Sequence, residues 1–154
     1  MAKFEKAIQS FKNMPKIGTA LLFLILYIIS IILFFGRNDT IFKMNWILNI
    51  FPDFYSHISN FSLLFLVYIT FGYVGIMMGV KMKTLVIAGL LLLIFNFVVE
   101  LFVNILNTPD LIDAVYGFFG VFFGFVFLIA IRKYGFNINQ LRILYALLSR
   151  NHIL

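Results

Sequence analysis

From Ile17 to Phe35 the chain carries no charged residue. A helix needs about 20 consecutive apolar residues to cross a bilayer, and a segment of that kind satisfies its backbone polar groups within itself. The run is longer than a signal-peptide core and no small-residue cleavage pattern follows it, so it is expected to be a retained span. Three more runs of similar length follow, at about 56–80, 84–103 and 111–131. The chain has 154 residues and is 63% hydrophobic and 12% charged, whereas a soluble globule is nearer 45–50% apolar. These features predict a single domain over residues 1–154, an all-α four-helix integral membrane bundle.

The segments outside the four runs are amphipathic or basic. Phe4, Ala7, Ile8 and Phe11 recur at helical spacing with Lys3, Lys6 and Lys12 elsewhere, and Leu141, Leu144, Tyr145 and Leu148 repeat the pattern in a tail read from Asn137 to Arg150. Both predict interfacial helices. Between the first two spans, Trp46 sits in an apolar stretch expected to lie at the membrane boundary. Of the 12 Lys and Arg residues, only Arg37 and Lys43 fall on the side of the loop between spans one and two. That side holds every acidic residue except Glu5. Positive-inside bias therefore predicts a multi-pass cell-membrane protein with cytoplasmic N- and C-termini, and it explains the net charge of +6 without nucleic acid.

Glu100, Asp110 and Asp113 lie between the third and fourth apolar segments. A carboxylate at bilayer depth costs about 2.5–3.5 kcal/mol on insertion scales, so one inside a span marks a functional-site candidate. Asn96, Glu100 and Asn104 follow one another at four-residue spacing, which puts amide, carboxyl and amide on one helix face. Asp113 opens the next helix, and Gly117, Gly120 and Gly124 share one flank of it, where a neighbouring backbone can come close. Gly75 and Gly79 form a small-xxx-small pair in the second span, again read as helix packing.

His57, at the start of the second span, shares its depth with Glu100 and Asp113. The three can form an outward polar pocket able to transfer protons, or they can hydrogen-bond one another and hold the bundle together. One histidine and two carboxylates can also be a ligand set. No two of them stand at a local ligand spacing, however, and the other histidine, His152, is in the tail. No metal site is expected. The absence of cysteine excludes disulfides, thiolate nucleophiles and cysteine-held metals. No phosphate loop or serine elbow is present, so no cofactor is expected.

Three pieces of the chain, in this order, resemble the VanZ-like family of small bacterial membrane proteins. Asp53 with His57 is similar to the family's D-K-x-x-H, Glu100 stands near the end of the next span, and Asp113, Gly117, Gly120 and Gly124 resemble D-x-x-x-N-x-x-G-x-x-x-G. Phe54 replaces the usual lysine, Val103 the glutamine that often follows the glutamate, and Gly117 the asparagine. No arginine precedes Asp113, since no Lys or Arg occurs between Lys83 and Arg132.

The resemblance implies an envelope protein associated with resistance to teicoplanin-type glycopeptides. On this reading a pocket of His57, Asp53, Glu100, Asp110, Asp113, Asn96 and Asn104 engages a membrane lipid headgroup or a lipid-linked cell-wall precursor. Two alternatives stand beside it: an intramembrane enzyme on a lipid-linked substrate, and an accessory subunit that packs its glycine faces against another membrane protein. Because no covalent nucleophile has a recognisable setting, the enzyme ranks below the binding factor.

Overall fold

A computed structural model describes residues 10–102, 110–140 and 143. The elements run β1 (Asn13–Pro15), α1 (Ile17–Phe35), a 3₁₀ turn (Thr40–Phe42), α2 (Asn45–Ile50), α3 (Phe54–Met78), α4 (Met82–Phe102), α5 (Leu111–Tyr134) and β2 (Phe136–Ile138). Four of these helices, α1, α3, α4 and α5, are long and apolar enough to cross a membrane, and together they form the four-helix membrane bundle. The amphipathic N-terminal segment through Ile8 and the tail positions Leu141, Leu144, Tyr145 and Leu148 lie outside the described residues.

The centre of the bundle is the pair α3 and α5, which pack on each other more extensively than any other elements, with α1 against α3 and α4 against α5. Leu64, Tyr68, Tyr73, Ile76, Leu85, Val121, Leu128 and Ile131 form the buried cluster. Between helices surrounded by lipid, close van der Waals fit replaces the hydrophobic driving force, and glycine makes that fit here. A β-carbon on Gly120 would collide with the carbonyl oxygen of Phe61, in the backbone of α3, and one on Gly117 would come within 2.6 Å of Asn96 and Leu64 side-chain atoms. One on Gly124 would stand 3.0 Å from the Tyr68 ring. The buried Tyr68 hydroxyl donates to the Leu85 carbonyl at 3.0 Å, so α4 is held to α3 by a polar contact as well.

Gly79 differs from the expectation. It lies just past α3 with φ 82°, and its N–H closes the helix onto the carbonyls of Gly75 and Ile76. Its role is the left-handed helix stop that glycine adopts without steric cost. Gly75 does pack, since a β-carbon there would lie 3.2 Å from Leu85. Stopping α3 at Met78 leaves the turn at Gly79–Lys81 and places Lys83 inside α4. At the far end α5 continues through Arg132 and Lys133 to Tyr134, where cations favour a helix C-terminus.

A two-stranded ribbon replaces the start of the expected tail helix. Asn13, Met14 and Pro15 pair antiparallel with Ile138, Asn137 and Phe136. Lys12 N–H donates to the Met77 carbonyl at 2.8 Å and Asn13 Nδ2 to the Ile76 carbonyl at 2.7 Å. The ribbon thus joins the basic end of the bundle to the end of α3. Arg132 adds a donor to the Val80 carbonyl at 2.9 Å.

Candidate functional site

At the opposite end, the N-termini of α3 and α5 meet the last turn of α4 and the chain leaving α1. Asp110 caps α5, its Oδ1 accepting from the Ile112 N–H at 2.8 Å. Asp113 then falls in the first turn, where the helix dipole favours a carboxylate. Three residues into α3, His57 faces both acids. Its Nδ1 lies 2.7 Å from Asp113 Oδ1 and 3.6 Å from Asp110 Oδ2. Side-chain exposure rises from 3% at Asp113 through 16% at His57 to 33% at Asp110, so the group is reached from the Asp110 side.

Glu100 belongs to the same end. Its Oε1 accepts from Asn60 Nδ2 at 3.1 Å, while Oε2 is buried without a hydrogen-bond partner among the described residues. The charges of Asp113, Arg37 and Asp110 all act on it, and its backbone carbonyl accepts from Asp110 N–H at 3.2 Å. His57, Glu100 and Asp113, expected to share a depth, are therefore brought together, with Asp110 beside them.

Two expected members stand apart. Asn96 donates to the Ala114 carbonyl at 2.9 Å and is buried against Gly117, so its amide serves as a strut between α4 and α5. Asp53 is exposed at the start of α3, does not cap the helix, and makes no hydrogen bond or ion pair with the group among the described residues. Asn104 lies outside the described residues.

Arg37, Ser59, Asn60 and Tyr116 were not among the expected site residues. Gly36 ends α1 with the Tyr55 ring against it, at 2.6 Å from where a β-carbon would be, and the Tyr55 hydroxyl accepts from Met44 N–H at 2.9 Å. This clamp folds the loop back over α3, and Arg37 donates to the Ser59 hydroxyl at 3.1 Å. Tyr116 sets its ring 5.6 Å from that of His57. The signal for Arg37 was its sign, because it is one of two basic residues on the acid-rich side of the chain.

An apolar crevice of about 340 Å³ runs between α1 and α5 across α3, lined among others by Leu26, Leu33, Phe61, Phe65 and Phe123, and Leu33 lies four residues before Arg37. That volume reaches the lower bound of small-molecule sites, about 300 Å³, whereas a second apolar hollow, beside Gly89, holds about 160 Å³ and does not.

Fold and site together define a membrane helix bundle with a partly buried histidine–carboxylate group at one end and, at the other, a short ribbon flanked by Lys12, Lys16, Arg132 and Lys133. No family model matches the chain, and no curated protein or solved structure does either. Its functional reading rests on the geometry of this end.

Proposed function

We propose that this protein is a VanZ-like membrane protein of the cell envelope whose acidic end faces outward and binds a phosphate-bearing headgroup, of a lipid or a lipid-linked cell-wall precursor. Contribution to tolerance of teicoplanin-type glycopeptides is part of this proposal. The observation that carries it is an exposed Arg37 four residues past Leu33, at the end of α1 that helps line an apolar crevice: a guanidinium suited to phosphate follows a hollow suited to an acyl chain. Arg37 also offers a basic group where this chain lacks the arginine of the VanZ-like pattern. The orientation, with both termini cytoplasmic, is supported by the basic residues at the ribbon end.

Native mass spectrometry of the purified protein with defined lipids tests the binding. Anionic phospholipid adducts are expected to exceed zwitterionic ones, and Arg37→Ala is expected to remove the preference and, in cells, the teicoplanin tolerance at unchanged abundance. Equal retention of both lipid classes by the wild type would overturn the reading.

A second reading, an intramembrane enzyme on a lipid-linked substrate, is favoured by His57 held 2.7 Å from Asp113, an arrangement that orients an imidazole for acid–base work. Product release from such a substrate, abolished by His57→Gln, would place catalysis above binding. Gly117, Gly120 and Gly124, the glycine face on which the accessory-subunit alternative drew, pack against α3 and α4 of the same chain.

A further inference from the structure

His57, Asp110 and Asp113 each offer a ligand atom, and these atoms lie within 4.8 Å of one another. A four-coordinate ion with bonds of about 2.0–2.1 Å sets its ligands about 3.3 Å apart. The His57 Nδ1–Asp110 Oδ2 separation of 3.6 Å already suits this. The His57 Nδ1–Asp113 Oδ1 contact, 2.7 Å as a hydrogen bond, needs to widen by only about 0.6 Å for an ion to replace the shared proton.

Charge and hydrogen bonding point the same way. Asp110 and Asp113 gather with His57 here and Glu100 stands at the same end, a group of carboxylates that attracts a divalent cation. The buried Oε2 of Glu100, at the same end, accepts no hydrogen bond from any described residue, and a buried acceptor left unpaired in a native protein calls for an explanation such as an ion or an ordered water. Two of the acids are also held from behind. The Ile112 N–H fixes Asp110 through Oδ1 and leaves Oδ2 toward His57, and Asn60 fixes Glu100 through Oε1. Such outer partners orient metal ligands in known sites.

We infer that His57, Asp110 and Asp113 hold one divalent transition-metal ion of the Zn²⁺ class, with Glu100 as a neighbouring carboxylate that balances its charge. One imidazole nitrogen among carboxylates suits zinc or manganese, while magnesium and calcium prefer oxygen alone. Three protein ligands leave a coordination position open on the exposed Asp110 side, where water or a phosphate oxygen can bind. Sequence spacing concealed this ligand set because its members come from the start of α3, the cap of α5 and the first turn of α5. The ion shares this end of the bundle with the proposed headgroup site but does not depend on that reading.

The test is isothermal titration of the chelator-stripped, full-length protein in detergent with Zn²⁺, Mn²⁺, Mg²⁺ or Ca²⁺, with no lipid added. One Zn²⁺ per chain is expected, with Mg²⁺ and Ca²⁺ at least tenfold weaker. Asp110→Asn and His57→Gln are each expected to weaken Zn²⁺ at least tenfold, and Asp53→Asn, at the same end, to leave it unchanged. Asparagine keeps the helix cap, so Asp110→Asn decides the matter even if His57→Gln fails to fold. Absence of saturable Zn²⁺ binding, or equal affinity in Asp110→Asn, overturns the inference. Either result leaves the lipid measurement standing, and failure of lipid binding leaves this titration standing.

Discussion

His57 Nδ1 and Asp113 Oδ1, 2.7 Å apart, join the first turn of α3 to the first turn of α5. Asp113 is 2% exposed, and breaking a buried pair by removing one member is more damaging than replacing both, because the survivor keeps its desolvation cost. His57→Ala and Asp113→Ala are expected to lower the melting temperature in detergent, with the double variant close to the worse single. The coupling expected from a double-mutant cycle is about 0.5–3 kcal/mol. Strictly additive losses would show that the two side chains act separately.

Gly120 and Gly124 test packing at two depths of the same face. A methyl on Gly120 meets the backbone carbonyl of Phe61, which cannot rotate away, whereas one on Gly124 meets the Tyr68 ring at 3.0 Å and Ile69 at 3.3 Å. Overpacking of a rigid contact costs about 1–3 kcal/mol, so Gly120→Ala is expected to destabilise by that amount and Gly124→Ala by less. Thermal melts of the two single variants check the order. A Gly120→Ala protein as stable as the wild type would mean that α3 and α5 can separate at no cost.

The spans were legible because twenty apolar residues have one physical solution, and boundaries differ from expectation by two or three residues, where Gly79 and the Arg132–Lys133 pair set them. The acidic group was legible as well, since carboxylates in an apolar run stand out by cost. Partner choice was not. Asn96 and Glu100 share a helix face, yet one amide binds the Ala114 carbonyl and the carboxylate meets Asn60, a division set by the close approach at Gly117. Arg37 reaches Ser59 across 22 positions through the Gly36–Tyr55 clamp, and the Asn13–Pro15 ribbon contains a proline and too few residues to show a period.

Orientation is open to direct measurement because the chain contains no cysteine, so any introduced thiol is unique. Asn45 and Lys83 are exposed on opposite ends of the bundle. Asn45→Cys is expected to react with a membrane-impermeant maleimide in intact cells, and Lys83→Cys only after permeabilisation. The reverse pattern would invert the orientation and place the polar end in the cytoplasm.

Glu100 separates stability from function most sharply. Its Oε1 has a donor in Asn60, while its Oε2 is buried with none among the described residues, and an unsatisfied buried group costs about 1–3 kcal/mol, more when charged. Glutamine preserves the shape and the Oε1 acceptor but removes the charge. Glu100→Gln is therefore expected to melt at or above the wild-type temperature, while Asn60→Ala, which strips the donor from Oε1, melts lower. A group kept against its own stability cost is one the site uses. On the function proposed above, glycopeptide tolerance at matched abundance is accordingly expected to fall in Glu100→Gln even though the protein is no less stable. If Glu100→Gln instead melts well below the wild type and tolerance merely follows abundance, the carboxylate is a structural element of the bundle and not part of its working site.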